Sequence, residues 1–311
     1  MKGLDLAQRY YETYGKEMLQ QQFSHVLPYL AIGLAGSGSE CYGYDDETSR
    51  DHDFEPAFCI FLPGEDVVDR RTAFQLERAY AKLPKEFMGF KRSPIDPVGG
   101  SRHGVIRMAD FFSAKTGSPD GELSPEQWFS LPEYALLEAT NGAVFADHYG
   151  QFTAIRETLG YFPEDIRRKK LAGHLLLMTQ AGQYNYSRCV ARGETAAAQL
   201  AIFEFTQSAL HSIYLLNRAY MPYYKWSFRG LKGLPRLSAL ARPLEHLIST
   251  GNAPEQAKEK AALIEQICAA IAEAVQPLSG LQSAEPEQQA YALNDTVTDH
   301  QIRNLHILHG V

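Results

Sequence analysis

The stretch Gly36-Ser37-Gly38-Ser39-Glu40-Cys41-Tyr42-Gly43-Tyr44-Asp45-Asp46-Glu47-Thr48-Ser49-Arg50-Asp51-His52-Asp53-Phe54 decides how this chain is read. It opens on a Gly/Ser turn and closes on two aspartates one residue apart. The apolar run just upstream, 29–34, reads as a buried strand that delivers the chain into the turn. Downstream, 57–62 is β-prone and stops at Pro63-Gly64, so a second strand is expected over 51–62 with a bulge or edge at Pro56. Strand side chains alternate between faces, which places Asp51 and Asp53 on one face and His52 and Phe54 on the other.

Two neighbouring carboxylates repel, and a shared divalent cation relieves the repulsion. Oxygen-only ligation suits Mg²⁺ or Mn²⁺. The backbone amides of the turn, with the Ser39 hydroxyl, can cradle phosphate oxygens, and Gly38 admits a close approach that a side chain would block. A phosphate cradle beside a metal pair is what phosphoryl or nucleotidyl transfer requires. Other readings of the stretch fail. Arg50 stands where a calcium loop needs glycine, Cys41 breaks the dinucleotide fingerprint, and no Gly-Lys-Ser/Thr follows the turn. Asp45, Asp46 and Glu47 read as a solvated loop.

Working outward, apolar residues at helical spacing predict helices over 5–23 and 67–83, with loop from 84 to 100 and a third strand over 104–108. Past residue 125 the texture becomes helical: 132–140, 163–181, 196–219 and 254–275, the last two rich in strong helix formers. A polar linker over 277–287 and a short helix near 295–309 complete the reading. The fold class is therefore α+β, with an α+β domain over 1–125 and an all-α helical-bundle domain over 126–311. Phe203, Phe205, Leu210, Tyr214 and Leu216 read as bundle core. Within the helical part, Tyr184, Asn185 and Arg188 can share a helix face and meet a triphosphate or serve a structural network. Pro222-Tyr223-Tyr224-Lys225-Trp226 suits either base stacking with Lys225 on phosphate or an aromatic hinge.

The 311 residues carry 30 Lys and Arg against 37 Asp and Glu, a formal charge of −7 that argues against sequence-independent binding to nucleic acid or anionic lipid. The apolar runs are short of a membrane span and the first residues lack a signal-peptide core, so a cytoplasmic protein is expected. Cys41, Cys59, Cys189 and Cys268 show no metal or disulfide spacing and are expected to be reduced and mostly buried.

An apolar residue, Gly-Ser, a spacer and Asp-x-Asp together resemble the signature of the DNA polymerase β-like nucleotidyltransferase superfamily. Both Gly36-Ser37 and Gly38-Ser39 fit its first half; the second register also sets Gly43 where small-molecule nucleotidyltransferases carry a glycine. More closely, the stretch 38–46, Ser49-Arg50-Asp51-His52-Asp53, Tyr184-Asn185 with Arg188, and 222–226 resemble the bacterial family called domain of unknown function 4037. The resemblance implies a nucleotidyltransferase-like mixed sheet with flanking helices, followed by a helical domain as in the kanamycin nucleotidyltransferase group. It implies Asp51 and Asp53 as catalytic metal ligands and Gly38 and Ser39 as nucleotide-binding residues. A third carboxylate usually lies on a later strand, and Asp110 is the nearest candidate, unless it caps a helix from Phe111.

The expected activity is transfer of a nucleoside monophosphate, AMP from ATP, onto an acceptor hydroxyl or phosphate. A regulatory nucleotide-binding module of the same fold is the alternative. A third class rests on Arg303 and His309, which resemble the Arg-x4–6-His motif of helical-domain ribonucleases.

Overall fold

The computed structural model describes residues 1–48, 54–92 and 102–311. It is a mixed α+β structure, mostly helical, and it divides into two compact units. Unit 1 comprises 1–123 and 134–160; unit 2 comprises 124–133 and 161–311.

Among the described residues unit 1 has six short strands: β1 (Ala31–Leu34), β2 (Cys59–Leu62), β3 (Glu86–Phe87), β4 (Phe90–Lys91), β5 (Gly104–Arg107) and β6 (Ala143–Asp147). Four form one sheet in the order β5-β2-β1-β6, while β3 and β4 form a separate hairpin. β1 runs antiparallel to both neighbours, and β2 runs parallel to β5. Every residue of β1 and β2 is buried, as expected for central strands covered on both faces. Alternation along β2 sorts its residues. Ile60 and Leu62 join Tyr10, Tyr11, Leu76 and Tyr80 in one core, while Phe61 stacks on Phe152 at 4.1 Å and meets Phe111 edge-on at 5.1 Å.

Three expectations need correction here. The second strand starts at Cys59, and the described residues 54–58 before it are not strand: the Phe58 N–H goes to the Tyr80 hydroxyl at 3.1 Å, while its carbonyl accepts both that hydroxyl at 2.7 Å and the Gly104 N–H at 3.0 Å. Residues 143–147 form β6 on the free edge of β1. Their pairing carries 134–160 back into unit 1, beyond the expected boundary near 125. Gly33 makes this pairing possible, since a Cβ there would sit 2.4 Å from the Ala143 carbonyl oxygen. Finally, 86–91 is a hairpin inside what reads as loop.

The first helix has a π segment, Tyr11–Gly15, between Gly3–Tyr10 and Lys16–Gln22. Arg70–Ala81 is capped by Asp69, whose carboxylate accepts from the Thr72 N–H at 2.7 Å. Val67 and Phe74, expected on its apolar face, are 42% and 58% exposed.

Unit 2 is helical. Glu164–Met178 packs against Thr195–Leu216 and Pro286–Asp295, and Pro254–Ser279 packs against Pro286–Asp295. Pro286–Asp295 occupies ground read partly as linker. The helix from Pro254 runs to Ser279, through Pro277, and ends on Gly280 at φ +73°. By length and composition this helix is apolar enough to cross a membrane, but it turns Ala257, Ile264, Ile267, Cys268, Ile271, Ala272 and Val275 into the unit's core. After Met178 the chain continues as a π-helix, Thr179–Tyr186, where a Cβ on Gly182 would lie 2.4 Å from the Phe205 ring. Of the expected bundle core, Phe205, Leu210, Tyr214 and Leu216 are buried, whereas Phe203 is 50% exposed. Cys41, Cys59 and Cys268 are buried and Cys189 half-buried, all as free thiols.

Candidate functional site

The turn that leaves β1 has the backbone expected of a cradle. Gly36 and Gly38 adopt φ of +116° and +130°, a region essentially reserved for glycine. The Asn141 side chain pins the start of the turn, accepting from the Gly36 N–H and donating to the Gly36 carbonyl, both at 2.9 Å. The far side is closed by the Cys41 N–H on the Gly38 carbonyl at 3.1 Å and the Tyr44 N–H on the Ser39 carbonyl at 2.8 Å. The Gly142 N–H adds a bond to the Cys41 carbonyl at 3.0 Å. Between these anchors, the amides of Ser37, Gly38, Ser39 and Glu40 donate to no other described residue. Consecutive amides of this kind form an anion-binding concavity.

Charge at the turn comes from Arg102, which precedes β5. Its Nη1 donates to the Ser37 carbonyl at 2.8 Å and lies 3.7 Å from the Glu40 carboxylate. Both groups crowd Gly38, for a Cβ there would fall 2.5 Å from Arg102 Nη1 and from Glu40 Oε1. Glu40 therefore offsets the guanidinium next to the open amides. Burial, and after it the Glu40 carboxylate, push the Cys41 thiol well above the usual range. The Tyr42 hydroxyl donates to Glu138 at 3.0 Å, and Glu138 also meets Lys115 at 2.5 Å. Asp45 departs from expectation. It is buried and accepts the Gly3 N–H at 2.9 Å, with Lys2 at 3.2 Å, so it anchors the start of the first helix.

Asp51 and Asp53 lie outside the described residues. Asp110 is exposed in the first turn of Met108–Thr116, which begins before Phe111, and its carboxylate does not cap that helix. Among the described residues no three His, Cys, Asp or Glu side chains converge as a metal site. Tyr184, Asn185 and Arg188 are all exposed, and Arg188 stacks over the Tyr184 ring at 4.3 Å. Lys225, on Tyr224–Leu231, is exposed beside Trp226, 5.1 Å from the ring centroid, with Arg229 5.5 Å from the same ring. Arg303 and His309 are engaged separately: the Arg303 Nη2 contacts His300 at 2.5 Å, and His309 meets Glu126 at 3.2 Å and the edge of Phe129.

Residues 128–227 match the family model described as a domain of unknown function, DUF4037. The DUF4037 match begins at Trp128 and ends just beyond Trp226, so it covers Tyr184, Asn185, Arg188 and Lys225 but not the glycine turn. Neither the curated proteins nor the solved structures yield a match to the chain.

Two groups at the turn escaped the sequence reading. Arg102 stands far from the turn in sequence, just after Gly99-Gly100-Ser101, and nothing local to it signals a phosphate partner. Glu40 was visible within the motif, but only the turn's fold sets it against Gly38.

Proposed function

We propose that unit 1 binds the phosphates of a nucleoside triphosphate at the 36–43 turn, and that the protein transfers a nucleoside monophosphate from ATP to an acceptor hydroxyl or phosphate. The observation that carries the proposal is the run of four amides, Ser37 to Glu40, that find no acceptor among the described residues at the exit of a central strand, in a turn held by Asn141, Gly142 and Arg102. Such amides present partial positive charge to phosphate oxygens without the reorganisation that side chains need. The nucleotidyltransferase-like arrangement is part of the same proposal. Its support is the order of a helix, a central strand, a Gly-Ser turn and an Asp-x-Asp segment leading toward β2.

Asp51 and Asp53 would hold Mg²⁺ or Mn²⁺, which would neutralise charge on the attacking and leaving oxygens. Asp110, the expected third carboxylate, is exposed in the first turn of Met108–Thr116 rather than on a strand. That placement favours one second reading, a module that binds nucleotide without turning it over. Calorimetric titration of Mg²⁺·ATP tests the binding, and acceptor-dependent release of pyrophosphate separates enzyme from module. Asp51→Asn and Asp53→Asn should each abolish the metal-dependent part of the binding while leaving the melting temperature without ligand unchanged. Equal response of both variants and the wild type to Mg²⁺·ATP would remove the metal assignment.

A further inference from the structure

Unit 2 contains three lysines with almost no exposure: Lys169, Lys170 and Lys260. An ammonium group has three protons to donate, and a buried one is costly unless each finds an acceptor. Lys169 is complete, donating to Asn294 Oδ1 at 2.7 Å and to the carbonyls of Arg303 and Leu305 at 3.0 and 2.6 Å. Lys260 is complete as well, with Gln199 Oε1, the Thr250 carbonyl and Asn252 Oδ1 at 3.1, 2.5 and 3.1 Å. Lys170 differs. It has the Phe129 carbonyl at 3.0 Å, the Gly310 carbonyl at 2.7 Å and the Phe162 ring, centroid 5.6 Å away, but no third oxygen among the described residues.

The incomplete ammonium lines a cavity of about 330 Å³, whose other walls include Pro132, Glu133, His174 and His211. No carboxylate of the described residues lies within ion-pair distance of Lys170. Glu133, the nearby acid, is committed elsewhere: one oxygen accepts from His211 Nδ1 at 2.7 Å and the other from the Met221 N–H at 2.8 Å. This clamp uses Nδ1 of His211 and leaves Nε2 as the ring nitrogen available to an occupant. His174 stacks flat on His211, with ring centroids 4.5 Å apart and planes 2° from parallel, and its buried Nδ1 has no partner among the described residues. Burial, with His211 and Lys170 beside it, holds His174 neutral well below the usual histidine range. Three His, Cys, Asp or Glu side chains do not converge here as a metal site.

From the incomplete Lys170 ammonium, the Glu133-held His211 and the cavity between them, we propose that unit 2 contains a binding site for a small molecule bearing a carboxylate or phosphoryl oxyanion. One ligand oxygen takes the third Lys170 proton, and His211, carrying a proton on each ring nitrogen, donates to Glu133 through Nδ1 and to a second ligand oxygen through Nε2. The cavity is large enough for a small metabolite rather than a nucleotide triphosphate, and its use does not depend on the function proposed for unit 1. Water is the rival occupant, as it can fill a polar cavity and satisfy the same donors.

Isothermal calorimetry on the full chain, titrated with inorganic phosphate and separately with succinate against sodium chloride of equal ionic strength, tests the site. Alongside it, nitrogen-15 spectra of the histidine rings in the wild-type protein report the cavity directly. Saturable binding of either probe is expected, with shifts in the His174 and His211 ring signals and at least ten-fold weakening in Lys170→Met and in His211→Gln. Phosphate binding alone identifies a phosphoryl ligand, and succinate binding alone a carboxylate. Absence of saturable binding by both probes overturns the proposal in favour of water. Binding that leaves the histidine signals unmoved, or that survives His211→Gln undiminished, also overturns it. Should Lys170→Met fail to fold, the wild-type spectra and the His211 variant decide.

Discussion

Replacing Gly38 by alanine tests the cradle at its most constrained point. The backbone cost comes first: φ of +130° is open to glycine and costs a residue with Cβ about 1–3 kcal/mol. The new methyl would also lie 2.5 Å from Arg102 Nη1 and Glu40 Oε1. Both are ends of flexible side chains, so they move rather than clash, but Arg102 then loses its bond to the Ser37 carbonyl. A charge-assisted bond is worth about 1.5–3 kcal/mol, less where water can replace it. The expected loss for Gly38→Ala is therefore about 2–4 kcal/mol, localised to unit 1. Trp128 and Trp226 are the only tryptophans and both belong to unit 2, so their fluorescence does not follow this change. Native-state hydrogen exchange of the β1 and β2 amides does. Those amides should open more easily by that amount, while the tryptophan transition stays in place and Mg²⁺·ATP binding is lost. Ser39→Ala is the matched comparison: stability within about 0.5 kcal/mol of wild type, but nucleotide affinity reduced by about 1.5–3 kcal/mol. If Gly38→Ala leaves β1 exchange within about 0.5 kcal/mol of wild type, the turn is an ordinary loop and the reasoning fails.

Lys225→Met keeps side-chain length and removes the charge; should Lys225 meet the β- or γ-phosphate, it weakens NTP more than NMP in calorimetric titration. An unchanged NTP/NMP ratio assigns Lys225 to its contact with Trp226. Glu164 accepts from Arg167, Arg168 and Arg218, and these bonds, Arg167 first, lower its pKa from 4.5 to about 2. Because the folded value lies below the unfolded one, the stabilisation is present above pH 4.5 and is lost as pH falls toward 2. The displacement would be worth about 3 kcal/mol at full strength, and with the carboxylate 40% exposed we expect about 1 kcal/mol after screening. Glu164→Gln should therefore lower urea stability, read by tryptophan fluorescence, by about 1 kcal/mol at pH 7. The gap should close near pH 2; a gap independent of pH would show that the arginine cluster is not its source.

The apolar run before Gly36, the β-prone run after Pro56 and the Ala- and Leu-rich helices of unit 2 were legible from local pattern, because helix and strand periodicities are properties of neighbouring residues. The same locality made the α+β class and the glycine turn readable. Phe203 and Phe74 carried the right period yet face solvent, since period marks a face without saying whether anything covers it. β6 was invisible because a five-residue edge strand is defined by its partner β1, more than a hundred residues away. Tyr80 takes the Phe58 N–H just before β2 begins, another bond that no local pattern announces. Lys170 and His174 share a helix face by their i, i+4 spacing, but spacing alone does not say what either meets. Only the tertiary structure supplies the acceptors, and so only it shows that Lys169 and Lys260 are complete while Lys170 lacks one. The physical reason is the same in each case: a sequence specifies which donors and apolar faces exist, and burial against distant segments decides which of them are left unsatisfied.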